Sequence, residues 1–131
     1  MTDCLAQHRW QHRVLLAFAP ALDARAIETQ KVKINAGRAG FTERDMVLIA
    51  VSPNDLREEG MSAPRSPDLF REEARSLYER FSVEPGTTAI LLIGKDGTEK
   101  ARWSEPVDLA EVFALIDTMP MRQREMRERA E

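Results

Sequence analysis

The chain has 131 residues, with 22 acidic against 19 basic side chains and a formal net charge of −3. That length fits one domain core, and 43% apolar with 31% charged residues is the balance of a globular protein rather than a disordered one. No excess of positive charge is available to displace counterions from nucleic acid, one cysteine allows no disulfide within the sequence, and no apolar run reaches the ~18 residues of a membrane span.

Residues 1–12 read as an N-terminal arm. Met1 to Trp10 is too polar for a signal-peptide core, so the sequence as written is expected to be cytoplasmic, or periplasmic or secreted if a signal sequence precedes it. Cys4, His8 and His12 follow one another at intervals of four, and on a helix they would share one face. Three such side chains are a candidate zinc set with a water in the fourth position, although a strand starting at Arg13 puts His12 at the edge of any helix. The plainer expectation is two surface histidines flanking Trp10, with Trp10 packed on the sheet.

Val14, Leu15, Leu16, Ala17 and Phe18 form one continuous apolar run, and residues 46–51 form another. Short runs that are apolar on both faces suit parallel strands covered by helices on each side. Between them residues 23–39 predict a helix, with Asp23 as its cap, Leu22 stapled onto Ile27, and Gly40 as its terminator. Residues 52–66 read as one long polar loop. Ser66-Pro67 starts the next helix, whose apolar stripe is Phe70, Ala74, Leu77 and Phe81.

Residues 88–94 are the third strand, and Asp96-Gly97 is a hairpin signal before a fourth at 99–103. Asp108 with Glu111 reads as a capping box, and Val107 with Val112 as its staple. Leu109, Val112, Phe113, Ile116 and Met119 line one face of that helix, which Pro120 must end or kink. Residues 121–131 alternate Arg122, Arg124, Arg127 and Arg129 with Glu125, Glu128 and Glu131, predicting a solvated helical tail with internal ion pairs.

The order β-α-β-α-β-β-α, with Leu77 to Val83 leading through Pro85 into residues 88–97, resembles the thioredoxin-like pattern. The segments Arg9-Trp10, 13–20, 92–97 and 113–122 further resemble a family of bacterial domains of unknown function, found also in extracellular sushi-repeat and matrix-associated animal proteins. The resemblance implies a three-layer α/β sandwich around a four-stranded mixed sheet, spanning residues 1–131 as one domain, and it carries no agreed activity. It also implies where thioredoxin chemistry would sit: just after the first strand, at residues 19–26. That stretch holds Pro20, Asp23 and Arg25 but no sulfur, and Thr88 stands at the place of the cis-proline.

Dithiol exchange needs a thiolate at a helix N-terminus and a second thiol to resolve the mixed disulfide, so it is not expected here. Glu58-Glu59 and Glu72-Glu73 read as solvated charges, and no Gly-rich phosphate loop is present. Residues 19–23 should meet Thr87 and Thr88 at one sheet end, where the helix amides face an anion with Arg25 alongside, unless Asp23 occupies them as a cap. The leading reading is a non-catalytic module that binds a protein or small ligand through Pro20, Asp23, Arg25, Thr87 and Thr88. No cofactor, nucleic acid or membrane is expected to take part. The alternatives are a single-thiol enzyme using Cys4 and a metal-binding protein using Cys4, His8 and His12.

Overall fold

The computed structural model describes residue 5, residues 8–58 and residues 67–130. Five strands form one sheet in the order β3-β2-β1-β4-β5: β1 is Arg13–Phe18, β2 Met46–Ser52, β3 Asp55–Glu58, β4 Ala89–Ile93 and β5 Glu99–Trp103. β1 runs parallel to β2 and antiparallel to β4, and every residue of β1 is buried. Its alternation divides the core in two. Val14, Leu16 and Phe18 face one side with Leu77, Phe81 and the helix α3 (Pro67–Arg80). Leu15 and Ala17 face the other with α1 (Arg25–Ala36), α2 (Arg38–Glu43) and α4 (Leu109–Ile116). Continuous apolar strands sandwiched between helices are the three-layer result expected of a mostly buried sheet.

The sheet has five strands where the sequence predicts four. The added strand lies at the start of the segment read as a long loop: residues 53–54 turn the chain back, and Leu56 is buried opposite Val51. Asp55 steadies the turn, since its carboxylate accepts the Leu56 amide at 2.8 Å. Four residues with one apolar side chain are too short an alternation to announce a strand. The rest of that loop, 59–66, including the Ser66 of the predicted helix start, lies outside the described residues.

The first helix also differs. It breaks at Gly37, with φ −120° and ψ 30°, and resumes as α2, so Gly40 sits inside a helix rather than ending one. Both glycines are packing residues: a Cβ at Gly40 would stand 2.7 Å from Phe113 Cε2, and one at Gly37 would stand 2.9 Å from Leu109 Cδ1. The hairpin forms as predicted, with Gly97 at φ +84°. Pro120 opens α5 (Pro120–Ala130) as its first residue, where a missing amide hydrogen costs nothing.

The capping box at Asp108 does not form. Asp108 is the N-cap of α4 without a side-chain cap bond, and its carboxylate instead accepts the Lys33 ammonium from α1. Glu111 turns outward to accept the Trp103 indole N–H at 3.2 Å. The staple partners Val107 and Val112 are both buried in the α1/α4 half of the core.

Candidate functional site

Register decides what meets at the sheet end after β1. Phe18 pairs with Val51 on one side and Ala89 on the other, so the 19–24 loop, the end of β2 and Thr88 emerge at the same end. The loop is tied down by its backbone: the Ala19 amide donates to Val51 O at 2.9 Å, and the Tyr78 hydroxyl donates to Ala19 O at 3.4 Å. Tyr78 packs edge-on against Phe18, and burial pushes its phenol up to about 12, so it stays a proton donor.

Asp23 does not cap α1. The N-cap is Ala24, in extended geometry, with no side-chain cap bond. The Ala24 carbonyl takes the Ile27 and Glu28 amides at 3.0 and 3.2 Å. Pro20, Asp23 and Arg25 are exposed and Thr88 is half-buried. Thr87 turns away from them, its hydroxyl donating at 2.6 Å to Glu84 O within the preceding turn. The register therefore gathers the loop with Thr88, while Thr87 is engaged locally.

The N-terminal arm is built differently from its expected form. Trp10 is not packed on the sheet: it is 60% exposed, at φ +69°, with its amide donating to Lys95 O. His8 is buried, 7% exposed, rather than lying on the surface. Its Nδ1 lies 3.0 Å from His12 Nδ1, and its Nε2 lies 2.6 Å from Glu58 Oε1 on β3. Burial holds the His12 imidazolium below its ordinary range, with His8 and Lys95 acting the same way against Asp45 and Glu58. Cys4 lies outside the described residues, and among those described no three His, Cys, Asp or Glu side chains gather as a metal-holding group. Glu58 is the member of this cluster that sequence reasoning missed, because no spacing rule links an arm histidine to an edge strand. Glu73, read as solvated, is buried on α3.

The C-terminal helix is docked rather than solvated. Arg122 is 2% exposed and reaches Glu43 and Asp117, Glu125 meets Arg13 and Lys95, and Arg129 reaches Glu43 and Asp45. These charges close the end of the sheet opposite the 19–24 loop.

A family model described as "Domain of unknown function (DUF4174)" matches residues 4–125. Coiled-coil domain-containing protein 80 of Danio rerio is 23% identical over 96% of this chain and 16% of its own length. Sushi repeat-containing protein SRPX2 of Xenopus laevis is 22% identical over 88% of this chain and 25% of its own length, so the chain spans a quarter or less of these curated relatives. Among solved structures, a reduced 2-Cys peroxiredoxin of Plasmodium vivax superposes with a TM-score of 0.61 at 16% identity, covering 92% of this chain and 84% of that one. Thioredoxin peroxidase I of Plasmodium yoelii gives a TM-score of 0.63 at 17% identity, covering 92% and 79%. These likenesses show a thioredoxin-like fold.

Proposed function

The chain belongs to the DUF4174 family, a domain of unknown function, and on that premise we propose that it is a binding module on a thioredoxin-like scaffold with no dithiol chemistry of its own. One observation carries the reading. The β1–β4 register brings the 19–24 loop beside Thr88, the place where a thioredoxin keeps its thiols, and that loop contains no sulfur. Dithiol exchange requires two thiols at such a place, and this sequence has one cysteine, at position 4. What this sheet end offers instead is recognition chemistry: exposed Pro20 and Asp23 in the loop and Arg25 at the start of α1, on a backbone held by Val51 and Tyr78, with half-buried Thr88 entering β4 at the same end. The partner is a protein or a small ligand that pairs with one carboxylate and one guanidinium.

The test is a photo-crosslinking residue placed at Pro20 or at Arg25, with Gln123 at the opposite end as control, in the native host. Capture of one recurring partner from the loop positions alone supports the reading, and equal or empty capture at all three overturns it. Glutathione- or peroxide-linked turnover that disappears in Cys4→Ser would replace it with a single-thiol enzyme.

A further inference from the structure

We propose that Glu125 is the built-in occupant of an oxyanion site made by Arg13 and Lys95, and that an external carboxylate or phosphate group displaces it by lifting α5 off the sheet end. The site lies opposite the 19–24 loop and does not depend on the reading given to that loop. Its two cations belong to elements other than α5. Arg13 opens β1, and its guanidinium is anchored by donating to Arg44 O at 3.0 Å. Lys95 follows β4 and is anchored by Asp45 at 3.0 Å. Both converge on one carboxylate. Arg13 grips it through two nitrogens, at 3.2 and 3.1 Å, and Lys95 Nζ stands 2.8 Å from its Oε2. A two-point guanidinium contact with an ammonium beside it fits the edge of a carboxylate or a phosphate alike.

The occupant sits on a helix with little apolar burial. Among the described residues of α5, Met126 is the one apolar side chain that is even half-buried. Arg122, Glu125 and Arg129 hold the helix down through ion pairs instead. Buried pairs return little beyond the cost of taking both charges out of water. Arg122 adds to that cost: it is 2% exposed, and its Nη1 has no hydrogen-bond partner among the described residues, standing 3.7 Å from Glu125 Oε1. Water satisfies that group once the helix lifts. Pro120 has no amide hydrogen with which to continue the ladder of α4, so α5 is jointed at its first residue. Such a helix belongs to the low-stability end of a fold. Displacement also leaves no charge behind without a partner. Glu43 and Asp117 keep Arg44, Asp45 keeps Lys95, and the incoming oxyanion takes the place of Glu125 between Lys95 and Arg13.

The experiment follows backbone amide exchange of the full, unaltered chain in phosphate, in glutarate and in chloride at one ionic strength. Exchange across residues 121–129 is expected to run about 10-fold faster in an oxyanion than in chloride, while β1 keeps its protection. A response to glutarate alone identifies the incoming group as a carboxylate, and a response to phosphate alone as a phosphate. Equal rates in all three salts, or acceleration of β1 in step with α5, overturn the proposal. Glu125→Gln removes the competing charge, so whichever of the two anions released α5 should bind this variant about 10-fold more tightly than the parent by calorimetry. Adding Arg13→Met should abolish that binding. Binding no tighter in Glu125→Gln, or surviving the loss of Arg13, overturns the site. If the variants do not fold, exchange in the unaltered chain decides the question alone.

Discussion

Arg13, the first residue of β1, and Glu125, in the last helix, meet across 112 positions of sequence in a two-point ion pair, Nη1 to Oε1 at 3.2 Å and Nη2 to Oε2 at 3.1 Å. Arg13 is 1% exposed, and its Nη1 also donates to Arg44 O at 3.0 Å. Glu125 takes the Lys95 ammonium on the same Oε2. One carboxylate thus bridges two buried cations, one from β1 and one from the residues after β4, with Asp45 supplying a second negative charge at Lys95.

Removing that carboxylate takes the carboxylate partner from Arg13, while Lys95 keeps Asp45 at 3.0 Å. Breaking a buried pair by deleting one partner costs about 3–5 kcal/mol, because an uncompensated charge remains in a poorly solvated place. Glu125→Gln is expected to lose about 3 kcal/mol, read as a lowered urea midpoint at unchanged slope. Arg13→Met combined with Glu125→Leu should recover most of the loss, since apolar isosteres of a buried pair are often neutral. A Glu125→Gln variant as stable as the parent would mean that α5 does not hold Arg13 in solution.

Acid tests the same cluster from another direction. The Arg122 hydrogen bond holds the Glu43 carboxyl below its usual range, and the Arg44 hydrogen bond does the same for Asp117. Burial pushes Glu125 up, but the Arg13 and Lys95 hydrogen bonds outweigh it and the net direction is down. Each folded-state value lies below the unfolded one, so the stability these groups contribute is complete above the ordinary carboxylate range. It is lost as pH falls through the lowered folded values. Stability measured from pH 7 to pH 3 should drop below about pH 4, and Glu125→Gln should flatten that drop. Added salt should weaken chiefly the more exposed Arg129 contacts.

The alternation at Val14 to Phe18 and the Asp96-Gly97 turn were legible because each rests on a local rule: period-two burial on a strand, and positive φ at a hairpin. What escaped depends on pairing at long range. Arg122 and Glu125 satisfy the pattern of a solvated helix, and only distant partners, Glu43 and Asp117 for Arg122 and Arg13 and Lys95 for Glu125, leave the first buried and the second half-buried. Gly40 has the composition of a terminator, yet its lack of a side chain is used against Phe113, some seventy positions away. Asp108 has a preferred capping side chain, but Lys33 on a different helix competes for it. At the loop end, the absence of sulfur was readable outright, whereas the release of Asp23 from capping required backbone geometry.

Gln30 offers a sharper measure of one such long-range link. Fully buried on α1, its Nε2 donates to Val107 O at 3.1 Å and its Oε1 accepts the Val107 amide at 2.9 Å. The side chain mimics a strand partner for the segment that leads into α4. Gln30→Ala orphans both backbone groups, each worth about 1–3 kcal/mol when left buried and unpaired. Hydrogen exchange at the Val107 amide should accelerate in step with the lost stability. An amide as protected as in the parent would show that water or another group replaces Gln30.

Asp23 separates two pictures of the loop. A capping aspartate replaced by alanine costs about 1 kcal/mol, up to about 2. Asp23 makes no cap bond and is exposed, so only its charge near the α1 amides is lost, an effect of a few tenths of a kcal/mol. Asp23→Ala is therefore expected to shift stability by less than about 0.5 kcal/mol, as surface substitutions do. Crosslinking from Arg25 into the partner should fall in the same variant, because the carboxylate beside it is gone. A loss of 1 kcal/mol or more in chemical denaturation would place Asp23 on the helix amides. The end of the sheet beside Thr88 would then be closed by the protein's own side chain, leaving no room there for a ligand's acidic group.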